Sequence, residues 1–342
     1  MTVLFTLGLY QSERPSRWAA KHKVFHYLSA SLNKMGVASY FLCNQQSVKP
    51  RFVTDEYYFE HETNIVDLLQ QLPIRFVVVW GGRTPGDDLL RSALDECDVQ
   101  LIYAEAGWFP QSGTCYFSPY GTNANARFEQ EGLREHSLDI ARFNRSKLRL
   151  LRSWLGFFAG KKVSESEATT YFSADKPIFI PLQDELDSNI LLSSPVKTMS
   201  AFVSKLSMTY PDYQFVVRPH PRARYDTLPI LPNVSYQNVS VNPYKCFHDY
   251  GGVIGINSTM LMQFSLMGVP VLSFGQSVAS GGNACIEGDF DCLPEDLTKL
   301  HFDHHQSMKF FDFLLNSKQL SVKKLKSVKY VRNSYLMTLF KE

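Results

Sequence analysis

The sequence predicts two α/β domains, each built on a doubly wound sheet of mainly parallel strands. Three observations carry this. At 342 residues the chain exceeds what one hydrophobic core usually holds. Over residues 1–105, apolar runs of strand length alternate with segments of helical spacing, the βαβ signature of a Rossmann-like unit. After a polar stretch a second series starts at Pro177, and its apolar runs end in polar clusters, where open α/β sheets carry their ligands. The expected division is residues 1–165, residues 174–320, and a C-terminal helix over 321–342 that packs back toward the first domain.

Hydrophobic residues make up 44% of the chain and aromatic residues 13%, ample for globular folding. A net charge of +2 does not suit a nucleic-acid binder. Cys43, Cys97, Cys115, Cys246, Cys285 and Cys292 form no CxxC pair and no Cys/His ligand spacing, so they read as scattered thiols of a cytoplasmic protein. The N-terminus lacks a basic start and a cleavage site and reads as a buried strand. No segment reaches the ~18 to 20 apolar residues of a spanning helix. The expectation is a cytoplasmic protein, at most peripheral on a membrane.

Val3–Leu9 is the first strand. Arg17–Met35 has helical spacing through Trp18, Val24, Phe25, Leu28 and Leu32, and Gly36 ends it. Ala38–Leu42 is the next strand and Ile65–Gln71 a short helix. Ile74–Trp80 is almost continuously apolar, the mark of a parallel strand buried on both faces. It stops at Gly81-Gly82-Arg83. Asp87 and Asp88 open a helix over Leu89–Glu96 with their charges at its favourable end. Val99–Ala104 is the fourth strand, and the absence of GxGxxG argues against an NAD-type site. The fourth strand runs into Glu105-Ala106-Gly107-Trp108-Phe109. This sets a carboxylate at a strand tip, beside a glycine that admits close approach and an aromatic pair suited to stacking on a sugar. Residues 112–128 read as a long site-building loop. Residues 139–162 interleave Arg142, Arg145, Lys147, Arg149, Arg152, Lys161 and Lys162 with apolar positions. Such a basic amphipathic helix either lies on an anionic membrane or bridges domains with a solvated face.

Ser164–Ser173 is the polar linker. Pro177–Leu182 opens the second unit and ends in Gln183-Asp184-Glu185-Leu186-Asp187. Three carboxylates directly after a strand fit either catalysis or a solvated loop. Thr198–Tyr210 is a helix. Phe215–Val217 ends in Arg218-Pro219-His220-Pro221, a positive fork and a titratable nitrogen on a turn stiffened by prolines. Val253–Ile256 ends in Asn257-Ser258-Thr259, at the head of a helix over Met260–Met267. Hydroxyls beside orphan helix N–H groups make an anion site, and a nucleotide phosphate is its simplest occupant. Val269–Phe274 is a further strand, and Asp296–Leu300 and Ser307–Leu315 look helical. Leu320–Phe340 is basic and apolar by turns, suited to packing across the first domain or to touching lipid. His301, His304 and His305 surround Asp303 without matching a metal motif and read as surface.

Two Rossmann-like domains with strand-tip clusters in both halves resemble a GT-B glycosyltransferase, whose domains face a central cleft. Bacterial sialyltransferases carry D/E-x-G, HP and S-S/T motifs; here these read Glu105-Ala106-Gly107, His220-Pro221 and Ser258-Thr259, in the same order. The text AEAGWFPQ, IPLQDELDSNI, RPHP and GINSTMLMQFSLMGVPVLSFG is more similar still to the β-Kdo transferases of bacterial capsule and O-antigen synthesis. The resemblance spans about residues 75–275.

That resemblance implies a glycosyltransferase moving Kdo, or a related acidic sugar, from a CMP donor to a bacterial surface polysaccharide or glycolipid. The N-terminal domain would take the acceptor and the C-terminal domain the donor. His220 and the Ser258/Thr259 helix start would hold the CMP phosphate, with Arg218, Pro221, Asn257, Gln183 and Gly107 completing the lining. Asp187 is the match for the nucleophile of a retaining double displacement, with Asp184 as rival, and Glu105 for the acid/base. An inverting route would need only the Glu105 base. No metal, no cofactor beyond the donor substrate and no nucleic acid are implied; peripheral contact with the cytoplasmic face of the inner membrane is compatible. Gln263 stands where many GT-B enzymes place a Glu. Two other readings are a UDP- or GDP-sugar donor on the same fold, and a non-catalytic glycan- or nucleotide-binding subunit.

Overall fold

The computed structural model describes residues 2–9, 15–44, 56–59, 64–83, 85–95, 97–156 and 169–341. In chain order the elements are β1 (Thr2–Leu7), α1 (Pro15–Asn33), β2 (Ala38–Cys43), β3 (Glu56–Phe59), α2 (Ile65–Gln71), β4 (Phe76–Trp80), α3 (Pro85–Leu94), β5 (Gln100–Ala106), β6 (Thr114–Ser118) and α4 (Ile140–Leu155). There follow β7 (Ile178–Pro181), α5 (Ser188–Ser193), α6 (Met199–Thr209), β8 (Phe215–Arg218), β9 (Val234–Tyr236), β10 (Gly252–Gly255), α7 (Thr259–Met267), β11 (Val271–Ser273) and β12 (Ile286–Glu287). The last are α8 (His304–Phe313), β13 (Leu320–Ser321), α9 (Val328–Arg332) and α10 (Leu336–Leu339). They form two compact units, residues 1–122 with 317–342, and residues 123–316.

The first unit holds a sheet in the order β13-β6-β5-β4-β1-β2-β3. Its strands β1 to β5 pair in parallel, in the 3-2-1-4-5 order of a Rossmann fold. One face carries the core of α1 and the C-terminal segment, with Phe25, Leu28, Leu325, Val331 and Phe340. The other carries Leu68, Leu69, Leu90 and Leu94 of α2 and α3. β4 is buried along its length, which explains its unbroken apolar sequence.

Three expectations are corrected here. Residues 112–128 are not all loop: β6 pairs antiparallel with β5, Glu105 standing opposite Tyr116. Cys115, Tyr116 and Phe117 are fully buried. Burial of such a large side chain stabilises by about 1.5–3 kcal/mol, which overrides the turn-like composition around it. Residues 321–342 are not one helix: β13 pairs with β6, a 3₁₀ turn covers Val322–Lys326, and two short helices follow. The first unit leaves off at Thr122 rather than residue 165, so α4 belongs to the second unit. Asp139 caps α4 by accepting from Arg142 N–H at 2.9 Å, and Gly156 ends it at φ 85°. The expected helix tail at 157–162 and residues 164–168 of the expected linker lie outside the described residues.

The second unit has six strands, all parallel, in the order β12-β11-β10-β7-β8-β9. Counted from β7 this is again 3-2-1-4-5-6, and the order reverses between β7 and β10. Ligands of open α/β sheets bind outside the strand ends at that reversal. Ile180, Phe202, Val217, Ile254 and Leu272 pack one face. Among the described residues the cysteines form no disulfide, and burial pushes the Cys115 and Cys285 thiols far up. Among the described residues no helix is long and apolar enough to cross a membrane.

Candidate functional site

At the reversal of the second sheet, Gln183 follows β7 and Asn257 follows β10. Gln183 Nε2 donates to Asn257 Oδ1 at 2.8 Å, and the Asn257 backbone N–H donates to Gln183 Oε1 at 3.1 Å. Asn257 Nδ2 also donates to the carbonyls of Asn189, Ser193 and Gln276. Both side chains are buried. Their amide groups are engaged inside the protein and fix the frame of the site.

That frame positions two helix starts. Asp187 caps α5, its Oδ1 accepting from Asn189 N–H at 2.8 Å, and the residue is exposed. Ser258 caps α7, its Oγ accepting from Met260 N–H at 3.2 Å. Gly268 in the left-handed region closes α7 at its far end. Since Asn257 bonds to the Asn189 carbonyl, the starts of α5 and α7 are held side by side. The first N–H groups of α7, with Ser258 and the half-exposed Thr259, form a pole of positive potential suited to a phosphate. The neighbouring acids serve the backbone. Asp184 Oδ1 accepts from Leu186 N–H at 3.1 Å, and Glu185 Oε1 accepts from Met199 N–H at 2.6 Å at the head of α6. Asp187 is the one of the three that stands at a helix start beside α7.

His220 joins the same frame through a residue the sequence reading passed over. Its backbone N–H donates to Tyr225 Oη at 3.0 Å, and Tyr225 Oη donates to the Gln183 carbonyl at 3.0 Å. Burial pushes the Tyr225 phenol up to about 12, so it stays protonated and able to donate. No local pattern singles out a tyrosine five positions after the histidine. His220 Nδ1 accepts from Arg222 N–H at 3.4 Å, which puts the ring hydrogen on Nε2 and makes that nitrogen a donor. Pro221 is exposed in the turn that follows.

Arg218 is half-exposed, and its Nη atoms donate to the carbonyls of Asn238, Val239 and Val241, at 3.3, 2.7 and 2.9 Å. Its fork thus holds the connector after β9. Gln263 accepts from the Tyr244 hydroxyl, whose ring stacks on Trp154 at 5.9 Å between centroids.

In the first unit, Glu105 lies near the end of β5. Its Oε1 accepts from Trp80 Nε1 at 3.1 Å and from Ala106 N–H at 2.9 Å. Trp80 ends β4, next to the Gly81-Gly82 turn; the sequence showed the strand but not this contact. Gly107 answers to packing: a Cβ there would collide with Thr114 Oγ1 and lie 2.9 Å from Gln319 Oε1. Gln319 Oε1 accepts from the backbone N–H groups of Trp108 and Phe109, each at 2.8 Å. Trp108 and Phe109 are both 3% exposed, and Trp108 stacks on Tyr116 at 4.4 Å. The expected sugar-stacking pair is core.

A second cluster went unread in the sequence. Asp312 is fully buried and bonded by His136 Nε2 at 2.8 Å, Arg142 Nη2 at 2.7 Å and Asn316 Nδ2 at 2.6 Å. Asp312 lies 176 residues from His136 and 170 from Arg142, so only folding assembles them. His304 of the histidine cluster bonds the Thr169 carbonyl, and Asp303 caps α8. Among the described residues no group of three His, Cys, Asp or Glu is placed to hold a metal.

No protein-family model matches the chain, and comparison with curated proteins finds no relative. Solved structures do match. The β-Kdo 2,7 transferase of Thermosulfurimonas dismutans KpsC superposes with a TM-score of 0.55 at 16% identity, over 96% of this chain and 99% of that one. The β-Kdo 2,4 transferase of the same protein gives 0.52 at 12% identity, over 90% of this chain and 89% of that one. At these identities the likeness is one of fold, over the full two-unit length. The expected fold class, two Rossmann-like α/β units of GT-B type, is what the structure shows.

Proposed function

We propose that this chain is a glycosyltransferase that moves Kdo, or a related acidic sugar, from a CMP donor to a bacterial surface polysaccharide or glycolipid. The observation that carries the reading is the arrangement at the sheet reversal of the second unit. There the starts of α5 and α7, bearing Asp187 and Ser258, are clasped through Gln183 and Asn257, and His220 is tied to Gln183 through Tyr225. An anion pole and an exposed carboxylate side by side suit attack on a sugar carbon whose leaving group is a phosphate.

In this reading the helix start of α7 and the His220 Nε2–H hold the donor phosphate and stabilise the charge that develops as CMP leaves. A carboxylate oxygen of Asp187 attacks the anomeric carbon; the carbon–phosphate oxygen bond breaks and its electron pair departs with CMP. The acceptor hydroxyl then displaces the carboxylate, and Glu105 takes the hydroxyl proton. The product retains the donor configuration. Glu105 receives this role from the motif resemblance, supported by the two donors that orient its Oε1. The reading needs no metal, since the helix start and His220 carry the leaving-group charge. A cytoplasmic location, with peripheral contact to the inner membrane, fits a lipid-linked acceptor.

The test is thermal unfolding of the purified protein with CMP, UMP, UDP and GDP, without added metal. A ligand that binds only the native state raises the melting temperature with concentration. A rise with CMP alone supports the donor class. A rise with UDP or GDP instead replaces the donor, and no rise with any of them overturns the reading.

A further inference from the structure

The first unit is electrically two-sided. Its sheet is covered on one face by α2 and α3, where Asp67, Asp88, Asp95 and Asp98 are exposed and the cations Arg91 and Arg75 are paired to Asp88 and Asp98. The other face is covered by α1 and the C-terminal segment. There, residues 15–44 and 317–341 contain no Asp or Glu at all. Lys23, Lys34, Lys323, Lys324, Lys326, Lys329 and Arg332 are exposed on it, and none forms a salt bridge among the described residues. The excess is built by folding, because the segments are almost 300 residues apart in sequence. Ser31 Oγ donates to the Leu325 carbonyl at 2.6 Å and pins one to the other. Lys326 then stands 4.3 Å and Lys23 5.7 Å from the Tyr27 ring centre, and Lys324 lies 5.6 Å from that of Tyr330. Burial raises the Tyr27 phenol, but the Lys326 hydrogen bond and the Lys23 and Lys326 charges together hold it below its ordinary value. A chain of net charge +2 thus carries seven exposed cations and no carboxylate on this layer.

We propose that this layer, made of α1 and residues 322–332, is a docking surface for an anionic lipid bilayer. The proposal extends the glycosyltransferase reading, which gives a reason to meet a lipid surface, but the geometry and the test stand without it. Six of the seven cations are lysines. A lysine is a strongly hydrated point charge suited to a diffuse layer of headgroups, whereas nucleic-acid recognition favours the planar fork of arginine. Tyr27 and Tyr330, half-buried between the lysines, supply the amphipathic rings that partition to a membrane interface. Clustered cations near an anionic leaflet act together, and each contributes about fivefold to binding at moderate salt.

The experiment is sedimentation of the whole protein with phosphatidylcholine vesicles, with and without phosphatidylglycerol. Binding to the mixed vesicles alone is expected, with release at about 1 M salt, where charges are screened within ~3 Å. A variant carrying Lys323→Gln, Lys324→Gln, Lys326→Gln and Lys329→Gln should bind more than a hundredfold more weakly with an unchanged melting temperature. Arg145→Gln with Arg149→Gln on α4 should bind as the parent does. Equal binding to both vesicle types, none to either, or undiminished binding by the quadruple variant overturns the proposal. So does tighter binding to a single-stranded oligonucleotide than to the mixed vesicles. CMP-dependent thermal shifts on the same proteins separate the two readings: vesicle binding without a CMP shift removes the donor assignment and leaves the surface standing.

Discussion

Gln183 and Asn257 hold each other by two reciprocal hydrogen bonds across the two strands between which the second sheet reverses its order. The pair converts a gap between diverging connections into a rigid floor, and three strand tips converge on it. Both amide groups are engaged within the protein, which residue type alone does not reveal.

Removing either amide leaves buried partners unbonded. Each unsatisfied group costs about 1–3 kcal/mol. Gln183→Ala and Asn257→Ala should each destabilise by about 2–4 kcal/mol in urea unfolding. The double variant should lose clearly less than the sum, since the second change removes partners already orphaned. Unchanged stability in both would show that the clasp is not formed in solution.

Asp187 caps α5, and the proposed reading adds a second, separable job as nucleophile. Asn caps helices as well as Asp, whereas Ala loses about 1 kcal/mol at such a position. Asp187→Asn should therefore keep the melting temperature and abolish transfer, by roughly 10³-fold or more. Near-normal turnover in Asp187→Asn would remove the nucleophile assignment and favour an inverting route through Glu105.

Trp80 orients Glu105 through its indole N–H. Trp80→Phe leaves the carboxylate with the Ala106 N–H on that oxygen. Misplacement of a reacting group by about an ångström costs on the order of 10²-fold in rate. The expected result is a loss of kcat of that order with little change in KM for the donor. A change in KM alone would place Trp80 in substrate binding instead.

Asp312 makes native stability depend on acid. Burial pushes its carboxyl up, but hydrogen bonds from Arg142, His136 and Asn316, with the Arg142 charge, outweigh that and hold it below the ordinary value. A group depressed in the folded state stabilises above its unfolded pKa, about 3.9, and that contribution is lost as pH falls through the folded value. The Asp312-dependent part of stability should therefore be level near neutrality and decline below about pH 4. Asp312→Ala should lose about 1–3 kcal/mol at pH 7, because His136 and Asn316 lose their acceptor. The gap between parent and variant should narrow in acid; a gap independent of pH would contradict the assignment.

The scaffold was legible where local pattern and tertiary demand agree. Ile74–Trp80 is apolar throughout because a central parallel strand is covered on both faces, and the structure buries all of β4. Asn257-Ser258-Thr259 marks a helix start because a cap needs a side-chain acceptor next to free N–H groups, and Ser258 supplies it. β6 was not legible: Thr114–Ser118 is a short antiparallel partner amid turn-forming residues, and its burial depends on β5 and β13. The roles of polar residues were legible only in kind. Arg218 has the chemistry of a phosphate ligand, yet three carbonyls of the 238–241 connector take its fork.

By itself, then, the sequence determined the two α/β units, their strand tips and the types of group placed there, because hydrophobic period, capping residues and glycine turns act over a few residues. Tertiary structure decided which groups remain open to a ligand. It turned Gln183 and Asn257 inward, tied Arg218 to the 238–241 connector, buried Trp108, drew Tyr225 and Trp80 beside His220 and Glu105, assembled the Asp312 cluster and laid the C-terminal lysines over α1. The reason is that a buried hydrogen-bonding group must find a partner wherever the fold brings one, and those partners lie tens to hundreds of residues away in the chain.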